Sequence, residues 1–377
     1  MSKRVLIFST AYWPLIGGAE LAVKELTDRL TDYEFDLITA KIDSKLKSEE
    51  KVGRVIIYRL GWGSSLDKLI LAFYGGYFGA KLHRQNKYEA VWGVMASFAG
   101  LAAANCKKQT KLPFLLTLQE GDSLEEVESK MAPLWWKFKN IFTGANQIQV
   151  ISNYLGMWAQ KMGATSPITI IPNGVDLQTF YCDQDKLGSS TPTWELSSQV
   201  TIFTSSRLVK KNAVDIIIQA LVELPSNFKL RIAGTGEEEE KLKNLAKSLE
   251  VEDRVEFLGN LTHQEIATEL QQADVFTRPS RSEGLGNSFL EAMAAGVPVV
   301  ATSVGGISDF LKHQETGFVC EVDNPESLAE QIKFITDPQN KAKVWQITNA
   351  ARELVKQSYN WDTLAPQMAE IFSQLIV

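Results

Sequence analysis

Short apolar runs recur along the chain at intervals that leave room for a helix between them. In the first half they fall at residues 4–9, 35–39, 55–59, 90–93, 114–118, 148–151 and 168–171. A run that is apolar throughout, instead of alternating, marks a parallel strand buried on both faces. Helix-period patterns lie between several of them, over residues 21–30, 66–84, 98–107 and 153–162. A second set follows, with strands over 200–204, 228–233, 255–258, 273–276, 297–301 and 317–321 and helices over 214–224, 237–249, 263–272 and 288–295. Alternating strand and helix predict an α/β chain built on doubly wound parallel sheets. Residues 182–199 are polar, rich in Ser and Thr, and hold Pro192, so they read as a linker. The expected domains are 1–181 and 182–359.

Residues 131–142 (MAPLWWKFKNIF) read as an amphipathic helix. At about 100° per residue, Met131, Leu134, Trp135, Phe138, Ile141 and Phe142 share one face. Trp136 falls on the other, between Lys137 and Lys139, either as a singly exposed aromatic with no role or as a ring placed to dip into a membrane interface or touch a lipid-borne acceptor.

Composition narrows the class. A chain of 377 residues is long for one core, which agrees with two domains. Hydrophobic residues make up 45% and charged residues 22%, with no run long enough to span a bilayer, so a soluble globular protein is expected. Residues 1–10 read as a strand and not as a signal peptide. Cys106, Cys182 and Cys320 are far apart, which suits a reducing cytoplasm without a disulfide framework or zinc site. His83, His263 and His313 are isolated, and His263 sits in Thr262-His-Gln-Glu265, a capping box. Net charge is −6, unevenly spread: residues 1–180 hold 21 Lys+Arg against 17 Asp+Glu, the remainder 18 against 28. The acidic second half argues against a nucleic-acid protein. The mildly basic first half suits an anionic membrane surface or acceptor, and equally an unevenly charged solvated surface.

The candidate chemistry gathers at residues 280–293 (SRSEGLGNSFLEAM). The predicted order is strand, glycine loop, helix, which aims backbone N–H groups at whatever lies above the helix N-terminus, an anion above all. Glu283 and Glu291 bracket that turn. Eight residues apart, they are placed to grip two hydroxyl-bearing parts of one extended ligand with its anionic part between them; a nucleotide sugar has that form. Ser205-Ser206-Arg207-Leu208-Val209-Lys210-Lys211-Asn212 follows the first strand of the second half, and a guanidinium with an ammonium there suits a diphosphate. Gly305-Gly306 is a further candidate cradle. Glu237–Glu240 reads as a solvated helix N-terminus and not a metal site. Gly234-Thr-Gly236 lacks the third glycine of a dinucleotide fingerprint. In the first half, Gly17-Gly18 and Gln119-Glu120-Gly121-Asp122 follow strands and qualify as site-lining loops.

Together these motifs resemble glycosyltransferase family 4, retaining enzymes of the GT-B fold, over nearly the whole chain. The resemblance rests on Gly17-Gly18-x-Glu20, Ile171-Pro-Asn173-Gly-Val-Asp176, the Arg207/Lys211 region and Glu283-x7-Glu291 running into Ala-Met-Ala-Ala-Gly-Val-Pro. Gly305-Gly306, Gly317-Phe-Val and Asn360-Trp361-Asp362 complete it. It implies two Rossmann-like domains facing across a cleft, the first for the acceptor and the second for the nucleotide sugar, with the final helix (360–377) returning to the first. It implies that Glu283 holds donor-sugar hydroxyls, Glu291 both ribose hydroxyls, and Arg207 and Lys211 the diphosphate, aided by Gly286, Asn287, Ser288 and Gly18. Gly17, Gln119, Glu120, Asp122 and Asn173 fall on the acceptor side. The family lysine usually lies five residues after the arginine, where this chain has Asn212, and its first-domain histidine is replaced by Gln119-Glu120. The implied activity is transfer of a sugar from a UDP- or GDP-sugar to a glycan or lipid-linked hydroxyl, in surface polysaccharide or glycolipid synthesis. No metal or cofactor is expected, and the enzyme is expected in the cytoplasm or peripherally at the membrane. A nucleotide-sugar 2-epimerase and a non-catalytic nucleotide-sugar-binding protein are the alternative readings.

Overall fold

The computed structural model describes residues 3–15, 17–181 and 199–376. Residues 182–198, most of the expected linker and including Cys182, lie outside them. The chain forms two compact units. One is Met1–Asn173 with Trp361–Val377, and the other is Gly174–Asn360. The chain leaves the first unit after Asn173, eight residues ahead of the boundary expected from composition. The reason is local packing: Val175 N–H donates to the Tyr359 carbonyl at 2.7 Å, and a short helix (α7, Leu177–Phe180) places Phe180 in edge contact with His263.

The first unit is built on strands β1 (Lys3–Phe8), β2 (Tyr33–Ala40), β3 (Glu49–Val52), β4 (Val55–Leu60), β5 (Ala90–Val94), β6 (Phe114–Leu118), β7 (Gln147–Val150) and β8 (Ile168–Ile170). They form one sheet in the order β3-β4-β2-β1-β5-β6-β7-β8, parallel except for β3 against β4. Sequence β3 (EEKV) carries no apolar run and escapes a periodicity reading. It is a charged, half-exposed edge strand, which is how an unpaired sheet edge is kept from associating. Strand order reverses between β1 and β5.

Helices α1 (Gly18–Arg29), α2 (Asp67–Asn86), α3 (Phe98–Thr110), α4 (Leu124–Met131), α5 (Trp135–Gly144) and α6 (Asn153–Lys161) cover the sheet. The segment 131–142 is not one helix: a 3-10 turn at Ala132–Leu134, with Pro133 denying the preceding turn a backbone donor, separates α4 from α5. The face assignment holds nonetheless, because Met131, Phe138, Ile141 and Phe142 are buried and Trp136 is 65% exposed. The last helix, α14 (Trp361–Leu375), belongs to the first unit. It puts Trp361, Leu364, Met368, Ile371 and Phe372 into one core with Val5, Ile7, Phe35 and Trp92. The Phe372 ring lies 5.4 Å from both Tyr33 and Trp92, and Arg29 bonds Asp362 at 3.0 Å.

The second unit has six parallel strands: β9 (Val200–Ser205), β10 (Phe228–Ala233), β11 (Val255–Gly259), β12 (Val275–Arg278), β13 (Val299–Thr302) and β14 (Phe318–Cys320), ordered β11-β10-β9-β12-β13-β14. Helices α8 (Val214–Ala220), α9 (Glu239–Ser248), α10 (His263–Gln272), α11 (Asn287–Ala294), α12 (Pro325–Thr336) and α13 (Lys341–Ser358) accompany it. The capping box at α10 is formed, with Thr262 Oγ1 accepting from Glu265 N–H and the Glu265 carboxylate from Thr262 N–H. The acidic start of α9 is tied to Lys241 and Lys243. Strand order reverses between β9 and β12. In open α/β sheets ligands bind beyond the strands' carboxyl ends at such a reversal. Each unit therefore has one such place.

Candidate functional site

In the second unit the reversal is occupied by a buried guanidinium. Strand β12 runs two residues further than its apolar pattern, and Arg278, its last residue, is 6% exposed. Its Nη2 meets Glu283 Oε2 at 2.5 Å, its Nη1 donates to Ser288 Oγ at 2.9 Å and its Nε to Ser280 Oγ at 3.2 Å. Nη1 also reaches the Ser205 carbonyl of β9 at 3.4 Å, so the side chain lies across the switch point. The guanidinium carbon sits 4.4 Å from the centroid of Phe289, and that ring packs edge-on against Phe276. Burial lowers the guanidinium's pKa, and Glu283 and Glu291 oppose that shift.

The glycine loop delivers Glu283 to this cation. Gly305 has φ +55, and a Cβ there would lie 1.9 Å from the Glu283 carbonyl, so only glycine lets the 303–306 loop pass so close. Gly306 N–H donates to that carbonyl at 3.1 Å, and Gly284 N–H donates to Glu283 Oε1 at 3.0 Å. Gly305-Gly306 thus acts through the Glu283 backbone in this structure. Gly286 adopts φ +92, with Arg278 Nη2 3.0 Å from where a Cβ would stand, and Asn287 opens α11. The turn, the helix N-terminus and the guanidinium converge, and such a place favours an anion.

Glu291 lies on α11, 8% exposed. Burial pushes its carboxyl up to about 7, against the pull of Arg278. The neighbouring loop carries the other predicted cations. Arg207 is exposed, with no ion pair among the described residues, and Lys211 is half-buried. Asn212, at the family's lysine position, is buried and spends its amide on the Arg207 carbonyl at 2.7 Å. Arg281 reaches no carboxylate of the Glu283/Glu291 pair. It bonds Asp215 at 2.7 Å and Asp323 at 2.6 Å, while its backbone N–H donates to the Lys211 carbonyl at 2.7 Å. It fastens the 207–212 loop to the 279–286 loop. Gly234 and Gly236 are packing residues: a Cβ on either would fall within 2.3 Å of the Ser206 or Leu208 carbonyl.

The first unit collects a second polar group at its own reversal. Thr10 Oγ1 and Ser97 Oγ lie 3.0 Å apart, joining the ends of β1 and β5. Glu120 is 3% exposed, accepts from Ala96 N–H at 2.5 Å through Oε1, and leaves Oε2 buried without a hydrogen-bond partner among the described residues. Burial pushes this carboxyl too up to about 7, with Asp122 adding to the rise. Beside it Met95 holds φ +69, a conformation costing about 1–3 kcal/mol for a side chain and typical of functional sites. Gln119 accepts from Asn173 Nδ2 at 3.2 Å. Gly17 and Gly18 stand at the start of α1, where Glu20 bonds the Gly17 N–H at 2.9 Å.

Seven of the predicted residues therefore share the second unit's carboxyl edge (Arg207, Lys211, Glu283, Gly286, Asn287, Ser288, Glu291), and six lie in the first unit (Gly17, Gly18, Gln119, Glu120, Asp122, Asn173). Arg278 escaped the sequence reading. Its signal is an arginine closing an apolar strand, five residues before Glu283.

Two doubly wound units with this carboxylate and guanidinium cluster at a switch point have the architecture of GT-B glycosyltransferases, and solved structures agree. Sucrose-phosphate synthase from Thermosynechococcus elongatus superposes with a TM-score of 0.84 at 22% identity, over 99% of both chains. Anabaena HepE, solved with UDP and glucose, gives 0.79 at 20% identity, over 99% of this chain and all of that one. Among curated relatives, the GDP-mannose-dependent monoacylated alpha-(1-6)-phosphatidylinositol monomannoside mannosyltransferase of Corynebacterium glutamicum is 28% identical over 98% of each chain. Two family models match in tandem, Glycosyltransferase Family 4 over residues 16–179 and Glycosyl transferases group 1 over residues 194–371. The chain belongs to this family 4 type of glycosyltransferases and is an enzyme.

Proposed function

We propose that the protein is a retaining hexosyltransferase that moves a sugar from a UDP- or GDP-sugar to a hydroxyl of a glycan or lipid-linked acceptor, in surface polysaccharide or glycolipid synthesis. The observation that carries this reading is the pair Glu283 and Glu291 set around one buried guanidinium at the N-terminus of α11. Carboxylates suit vicinal diols, and a hydrogen bond to a charged group contributes about 1.5–3 kcal/mol. On this reading Glu283 takes donor-sugar hydroxyls and Glu291 the ribose pair. The diphosphate lies over the α11 N-terminus, met by Arg207 and Lys211 and by N–H groups of Asn287 and Ser288. Both kinds of nucleotide occur among the similar proteins: GDP-mannose with the corynebacterial relative, UDP with HepE.

Transfer with retention follows if the acceptor hydroxyl attacks from the face the diphosphate leaves. The C1–oxygen bond to the diphosphate breaks, the new glycosidic bond forms, and the leaving phosphate oxygen takes the acceptor proton. The side chains position the reactants and stabilise charge growing on the diphosphate. Glu120, Asp122 and the bonded pair Gln119 and Asn173 are the groups proposed for the acceptor. No metal is required, because side-chain cations meet the diphosphate, and activity is expected to survive EDTA. The enzyme would work in the cytoplasm and reach a lipid-linked acceptor by peripheral contact, since no helix among the described residues is long and apolar enough to cross a membrane.

The test is to follow UDP- and GDP-sugars by NMR with and without candidate acceptors, for the wild type and Arg207→Ala. Glycoside with retained configuration is expected, with turnover lower by about 10²–10³ in the variant. Epimerised nucleotide sugar without acceptor would replace this reading, and near-normal turnover in folded Arg207→Ala would remove the diphosphate assignment.

A further inference from the structure

Helix α2 lays bare more large apolar side chains than any other element of the first unit. Leu69, Phe73, Tyr74 and Tyr77 are 43–57% exposed, and the loop leading into the helix adds Trp62 at 83% and Leu66 at 68%. Positions 66, 69, 73 and 77 recur at helical spacing and form one stripe. The opposite face is fully used: Gly75, Gly76 and Gly79 pack tightly on α3, where a Cβ on Gly76 would lie 2.9 Å from the Ala102 carbonyl. The bare stripe is thus an unpartnered second apolar face.

Helix α5 extends the same surface. Lys137 Nζ lies 5.3 Å from the Phe73 ring and 5.3 Å from that of Trp136. Residues 61–87 and 132–142 carry Lys68, Lys81, Arg84, Lys87, Lys137 and Lys139 against a single carboxylate, Asp67. Asp67 is fully buried, and its Oδ2 accepts the N–H groups of Gly63 and Ser64. The exposed charge of these two segments is therefore cationic throughout, while one exposed carboxylate, Asp43, adjoins the loop where Ser44 packs on Gly63. Aromatics and aliphatics edged by lysine and arginine fit the boundary of an anionic bilayer, where Trp and Tyr rings favour the headgroup level.

Topology sets the start of this surface on the same edge of the sheet as the candidate acceptor residues. Loop 61–66 leaves the carboxyl end of β4, so it lies on the same edge of the sheet as the loops bearing Ser97, Gln119 and Glu120. The apolar part of α2 follows that loop directly, while Lys81, Arg84 and Lys87 lie towards the other end.

We propose that the face formed by Trp62, Leu66, Leu69, Phe73, Tyr77 and Trp136, with its lysine and arginine rim, docks the first unit on an anionic lipid leaflet. This extends the lipid-linked-acceptor reading, but its test reads lipid binding and not sugar transfer. The full chain is sedimented with vesicles of phosphatidylcholine alone and of phosphatidylcholine mixed with phosphatidylglycerol, at low and high salt. Three forms are compared: wild type, Leu69→Ser/Phe73→Ser and Lys81→Glu/Arg84→Glu. All four substituted positions are exposed, and thermal unfolding with and without UDP or GDP checks that fold and nucleotide response are kept. Binding to the anionic vesicles roughly tenfold tighter than to the zwitterionic ones, and weaker in high salt, is expected. Each double variant should lose most of it. Equal binding to both vesicle types, no binding by the wild type, or unchanged binding by Leu69→Ser/Phe73→Ser would overturn the proposal. So would a wild-type dimer that light scattering shows dissociating in that variant, because the face would then belong to a second copy of the chain.

Discussion

At the scale of the residue, the second unit's site is a problem of charge in a dry place. Breaking a buried pair by removing one partner costs about 3–5 kcal/mol, because the other charge stays unpaired. Arg278 faces Glu283 directly and lies near enough to Glu291 to oppose its rise in pKa. Arg278→Met is therefore expected to destabilise the second unit and cut donor turnover by about 10²–10³. Arg278→Lys keeps the charge but not the fork that holds Glu283 and Ser288 together, so it should fold and lose kcat more than donor KM. Steady-state kinetics beside an unfolding curve check both. Glu291 adds a pH dependence. Its carboxyl titrates near 7 in the fold against 4.5 ordinarily, so it binds a proton in the native state between those values while the unfolded chain does not. Its contribution to stability is present below 4.5 and lost as pH rises through about 7. Donor affinity runs the other way, because only the carboxylate accepts from both ribose hydroxyls. The donor Kd is expected to rise by up to about tenfold per unit below pH 7, and Glu291→Gln should flatten that slope. Calorimetric titration across pH 5.5–8.5 (about three units) reads it.

At the scale of the element, the C-terminal helix carries stability for residues 280 or more positions away in sequence. Phe372 sits fully buried against Tyr33, Phe35 and Trp92. Truncating such a ring costs about 3–5 kcal/mol. Phe372→Ala is expected to lower the stability of the first unit by that amount and leave the 174–360 core untouched, which tryptophan fluorescence in urea can follow through Trp92. The exposed positions of the same helix, such as Gln367, should tolerate alanine. The elements legible in sequence were those with long runs or full helical periods: β6, β10 and α10 lie where periodicity puts them, and α14 where the family resemblance does. Strand β3 and the break at Pro133 were not, because one is a polar edge and the other interrupts an otherwise continuous apolar stripe. Helices α12 and α13 went unread, although Asn324-Pro325 has the form of a helix start, with Asn324 accepting from Ser327 N–H.

At the scale of the whole molecule, two cores imply two folding units. Each has its own sheet and its own set of buried side chains. Unfolding is expected in two steps, and a nucleotide that binds the Glu283/Glu291 cluster should raise the step belonging to Gly174–Asn360. At ligand about 100 times Kd the rise is roughly 2.7 kcal/mol. Differential scanning calorimetry with UDP and with GDP shows which step moves and which base is preferred; movement of the first unit's step alone would count against the donor assignment.

The sequence by itself determined the α/β class, the two alternating sets of strands and helices, the family and the carboxylate pair. These depend on periodicity and on contiguous motifs, and neighbours in sequence can display both. Only the tertiary structure decided what stands between the carboxylates. Arg278 is an unremarkable strand end until β9 and β12 become neighbours and seal it beneath the glycine turn. The fates of Asn212 and Arg281 were equally hidden, since hydrogen-bond partners depend on which loops meet. The bare face of α2 belongs to the same group: its sequence is apolar nearly all round, and only packing against α3 shows which half is covered and which half remains for a partner.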